Sequence, residues 1–144
     1  MATAAPIPQR TERAPGASFA IAAAIIAIVI DGLYVGIILS QDPVEWARTL
    51  VVAAFIFASA LCALGVAFGP TAARPLLAAA ASGGLMTLGV LGIFSVGLPL
   101  LVAGALAIVA WVRVARGGGA RLGLLCAGAF LASGAVLVAG IALT

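Results

Sequence analysis

Ser95-Val96-Gly97-Leu98-Pro99 stands at the midpoint of an uncharged run from Leu76 to Val112. That run is 37 residues long, about twice the roughly 20 apolar residues that a helix needs to cross a bilayer's hydrocarbon. It reads either as one very long helix or as two helices joined by a tight turn. Glycine and proline punctuate helices, and this pentapeptide offers Ser95 or Gly97 near a cap and Pro99 in the first turn of the next helix. We therefore read a helical hairpin.

Working outward from that hairpin, the chain divides into five apolar segments of span length, at about 18–40, 46–68, 75–95, 98–115 and 120–142. The prolines agree with this division. Pro6, Pro8 and Pro15 precede the first segment, and Pro43, Pro70, Pro75 and Pro99 all fall at segment ends. Proline lacks the N–H that a helix interior needs but is tolerated in turns and first turns. The expected fold is an all-α integral membrane protein, a compact bundle of about five transmembrane helices forming one domain over 18–144. Residues 1–17, with three prolines and mixed charge, have too few large apolar side chains to fold and are expected to be a disordered cytoplasmic tail. The apolar run from Phe19 to Leu39 exceeds a signal-peptide core and lacks a cleavage site after it, so it is read as a retained first span.

Composition supports the class. The chain is 65% apolar and 8% charged, with mean hydropathy +1.35, against about 45–50% and 25% for soluble domains. The net charge of +3 comes from seven arginines spread between apolar segments, which argues against a nucleic-acid surface. Arg10, Arg13, Arg74, Arg113, Arg116 and Arg121 fall on one side of the five-span arrangement, and only Arg48 on the other. By the positive-inside rule the N-terminus is cytoplasmic and the C-terminus outside, in the cell (plasma or inner) membrane. Trp46 and Trp111 fall near span ends, where aromatic belts form.

Chemistry is sparse. Asp31 is the one charge away from the ends of the apolar segments, and an ionisable side chain at bilayer depth costs roughly 2.5–3.5 kcal/mol on insertion scales. Counting inward from the outer ends of the spans puts Ser59, Thr87 and Ser133 at a comparable depth, so the four residues are the candidate intramembrane polar site. Hydroxyls there are able to donate to the carboxyl or accept from it. Asp31 has three readings: a proton- or cation-coupling site, a neutral acid hydrogen-bonded to a neighbouring helix and fixing its packing, or an acid in a mere water-facing crevice. Gly32 and Gly36 form a GxxxG beside it, and Gly83, Gly84 and Gly128 are further small positions where helices are expected to pack closely, chiefly within the chain.

Without histidine, and with Cys62 and Cys126 outside any CxxC pair, the sequence offers no metal set. Gly117-Gly118-Gly119 lacks the lysine and preceding strand of a phosphate loop and reads as a turn, with Arg116 and Arg121 placed for anionic lipid. Asp42 or Ser40 is expected to cap the second span. No cofactor motif and no nucleophile–base pair appears, so an enzyme is not expected. The sequence favours a non-catalytic accessory or structural component of a membrane complex, whose partners are the lipid bilayer and a membrane protein or second copy. The alternative is a small transporter or channel subunit using Asp31.

Overall fold

The structure, a computed structural model, describes residues 15–41, 46–93, 96–116 and 118–143. These are all helix and connection, without a strand among them. α1 spans Ala17–Leu39, α2 Trp46–Phe68, α3 Arg74–Leu91, α4 Gly97–Val114 and α5 Ala120–Ala142. Each is long and apolar enough to cross a membrane.

The helices do not pack as a simple row. α1 packs on α2, α2 on α3, α3 on α4, and α4 back on α1, so the first four close a ring. α5 stands outside it, seated on α3 with a narrow edge on α2. Short connections make successive helices antiparallel, which leaves α3 and α5 parallel.

Alanine explains why the ring closes tightly. On α1, Ala20, Ala23, Ala24 and Ala27 recur at helical spacing and are almost wholly buried, facing Ala60 and Ala63 of α2 and Ala103, Ala107 and Ala110 of α4. Methyl-sized side chains let backbones approach, which drives packing where lipid surrounds the helices. Ile56, Leu85 and Leu100 fill the space between the helices. By contrast α5 buries only Cys126 and Leu137.

The α1–α4 seam closes at its far end through Gly16. This residue has φ +86, the left-handed region that only glycine adopts without cost, and a Cβ there would lie 3.0 Å from the Ala110 carbonyl oxygen. Nearby the Arg113 guanidinium sits 4.3 Å from the centre of the Phe19 ring. At the same end of the bundle Arg74 Nε donates to the Gly69 carbonyl at 3.0 Å, closing the exit from α2.

Most expected boundaries match the helices to within a residue, and the third is corrected. α3 was expected to reach 95 but ends at Leu91, where Gly92 donates its N–H to Leu88. The cause is the close return of α4. Gly97 N–H donates to the Gly92 carbonyl at 2.7 Å, and a Cβ on Gly97 would collide with the backbone of Gly89 and Gly92. A longer α3 would occupy the place of α4's first turn. Pro75 and Pro99 both lie in first turns. Ser40 does not cap α2: its hydroxyl donates back to Ile37 of α1 at 2.6 Å. Residues 1–14 of the tail expected over 1–17, the alternative caps Asp42 and Ser95, and Gly117 lie outside the described residues.

Candidate functional site

Asp31 follows Ala27 by four residues and Ala24 by seven, so helical periodicity puts it on the face of α1 turned to the bundle. Its Oδ1 is buried and has no hydrogen-bond partner. The hydrogen bond to a neighbouring helix expected of a packing acid is therefore absent at that oxygen. One turn on, Tyr34 shares a side-chain hydrogen bond with Thr49 of α2 and lies close enough to Asp31 to feel its charge.

That pairing sets the level of Asp31. Tyr34 opposite Thr49 puts Asp31 near the level of Val52 on α2. Ser59 lies seven residues further along, about 10 Å deeper at 1.5 Å per residue. Ser59, Thr87 and Ser133 do converge, but around α3 rather than around Asp31. A Cβ on Gly84 would be 2.6 Å from Ser59 Oγ, one on Gly83 2.5 Å from Ser133 Oγ, and one on Gly134 2.7 Å from Thr87 Oγ1. Thr87 donates to Gly83 at 2.8 Å and Ser133 to Phe130 at 2.8 Å. These bonds to their own helices satisfy both hydroxyls locally.

The expected single layer thus becomes two. Counting depth from each helix end assumes equal helices, whereas α1 and α2 have 23 residues and α3 has 18. The longer pair overhangs the α3–α4 turn, and Asp31 lies near the level of that turn. Ser82 belongs with the deeper layer, wholly buried and donating to Ala79 at 2.9 Å. The i+3 spacing of Tyr34 from Asp31 is legible in the sequence; the bond of Tyr34 to Thr49 needed the helix pairing.

The glycines also separate into two groups. Gly83 and Gly84 are buried contact points, and a Cβ on Gly83 would run into the Phe130 carbonyl. At Gly32, Gly36 and Gly128 a Cβ would meet nothing within 4 Å. The contacts within the chain expected at those three are not made. α1 turns its alanine face inward and its GxxxG outward. α5 turns Cys126 inward, leaving Gly128, about 200° further round, outside.

Between the five helices, at the end bearing the α1–α2 and α3–α4 connections, lies a cavity of about 170 Å³ lined by Tyr34, Val52, Ile56, Leu88, Leu91, Gly92, Val96, Leu100 and Ile141. Two shallow grooves flank α5 on its other face and share Thr87 and Phe130. Trp111 stacks on Phe130 with ring centres 6.4 Å apart, and its Nε1 is buried without an acceptor. Cys62 and Cys126 are free thiols. Among the described residues no three acidic, cysteine or histidine side chains gather to hold a metal. Against known proteins, the chain matches no family model, and no curated protein or solved structure is significantly similar to it.

Proposed function

We propose that this chain is a small multi-pass protein of the cell membrane, with its N-terminus cytoplasmic and C-terminus outside, serving without catalysis as an accessory or structural component of a membrane complex. One observation carries the reading. The chain packs its own helices through alanines and through Gly83 and Gly84, while Gly32, Gly36 and Gly128 face outward with nothing against them. Small residues on a lipid-facing helix let another helix approach closely. Arg74, Arg113, Arg116 and Arg121 gathered at one end support the orientation.

The test is a pull-down in mild detergent with the wild-type chain and a Gly32→Leu/Gly36→Leu double variant. A fixed partner, or a second copy, is expected with the wild type and lost with the variant, whose own thermal stability is unchanged. A monodisperse monomer without a partner would sink the proposal.

A second reading has one observation in its favour, the inward-facing Asp31 oxygen without a partner. It makes the chain a small transporter or channel subunit in which Asp31 couples to a proton or cation. Flux into proteoliposomes that survives Asp31→Asn would remove it.

A further inference from the structure

We propose that the cavity beside Tyr34 binds a small monovalent organic cation with an apolar body, such as a quaternary ammonium ion. This deepens the second reading above by naming a ligand class and a place.

The walls decide the body of the ligand. Among the described residues, every lining side chain apart from Tyr34 is aliphatic or glycine, and the volume is about 170 Å³. An apolar cavity of about 150 Å³ is large enough to admit benzene, so a compact ammonium ion fits by size. A strongly hydrated inorganic ion would lose its water there and gain no cage of oxygens in return.

Charge decides the sign. Asp31 is not in the cavity wall itself but stands one turn from Tyr34, on the inward face of the same helix, with a buried oxygen that has no hydrogen-bond partner among the described residues. A buried carboxyl oxygen without a donor is costly, and a cation nearby offsets that cost. Tyr34, tied to Thr49, presents an aromatic wall of the kind that attracts ammonium ions. Leu91 and Gly92 bring the carboxyl end of α3 to the cavity, the end of a helix where partial negative charge collects. No arginine is among the described residues of the wall. Arg48, the cation on α2 at this end, is exposed and engaged in contacts of its own.

The experiment titrates the purified full-length protein with choline and with its neutral isostere 3,3-dimethylbutan-1-ol, reading thermal stabilisation and tyrosine fluorescence. Choline is expected to bind at least tenfold more tightly than the isostere. Asp31→Asn is expected to weaken choline at least tenfold and leave the isostere unchanged. Val96→Phe fills the cavity from the α4 side and is expected to abolish both, which keeps the proposal testable if Asp31→Asn does not fold. Equal binding of choline and isostere, or choline binding unaffected by Val96→Phe, would overturn it. Binding without flux in proteoliposomes would uphold this site while removing the transport reading.

Discussion

A methyl group on Gly84 would stand 2.6 Å from the hydroxyl oxygen of Ser59, so α2 and α3 meet there as closely as a backbone and a small side chain allow. Gly84→Ala is therefore expected to destabilise the protein by about 1–3 kcal/mol, the usual penalty for overpacking. Gly83→Ala is expected to cost more, because it meets the Phe130 carbonyl rather than a side chain able to rotate. Gly32→Ala and Gly36→Ala, with open space around them, are expected to be neutral or to gain up to about 1 kcal/mol of helix stability. Thermal or SDS unfolding of the four variants checks this order.

Asp31→Leu is expected to stabilise the isolated protein. It removes a buried oxygen without a partner, a group whose penalty is about 1–3 kcal/mol, and breaks no hydrogen bond at that oxygen. A carboxyl that stapled two helices together would give the opposite sign, so unfolding midpoints separate the two roles.

At the other end of the seam, Gly16→Ala is expected to cost about 1–2 kcal/mol, because the left-handed backbone disfavours a Cβ and Ala110 already fills its space. Arg113→Gln is expected to lose about 0.5–1 kcal/mol by taking the cation off the Phe19 ring. Unfolding curves of the two single variants and their double are the check, with less than additive loss expected since both act on one contact.

Both thiols are expected to resist N-ethylmaleimide in the folded protein, Cys126 more than half-buried Cys62, and to react fully after denaturation in SDS. Mass spectrometry without reductant is expected to show no disulfide.

In a cysteine-free background, Gln41→Cys is expected to react with an impermeant maleimide on intact cells, and Gly118→Cys only after lysis. The two residues lie on connections at opposite ends of the bundle. The reverse pattern would invert the orientation.

Helix placement was legible because proline and glycine mark ends sharply: Pro75 and Pro99 each open a helix where the sequence put one. The end of α3 was not, since Leu91-Gly92-Ile93 is as apolar as what precedes it and only the return of Gly97 forbids a further turn. The ring with α5 outside was equally hidden. Helices apolar on every side carry no stripe that reveals their neighbours. Only the alanine spacing at 20, 23, 24 and 27 marked an inward face, and reading it forward reaches Asp31 and Tyr34. The grouping of Asp31 with Ser59, Thr87 and Ser133 rested on counting from helix ends, and helices of unequal length do not share a zero of depth.

The placement of α5 has a consequence for how the molecule is made. Every residue of the four-helix ring leaves the ribosome before the first residue of α5. At about 5–20 residues per second, Ala120 follows Val114 by only about 0.3–1.2 s, so α5 emerges directly behind the last helix of the ring. The last helix made is also the one the ring does not need for closure: its seat is on the outer side of α3.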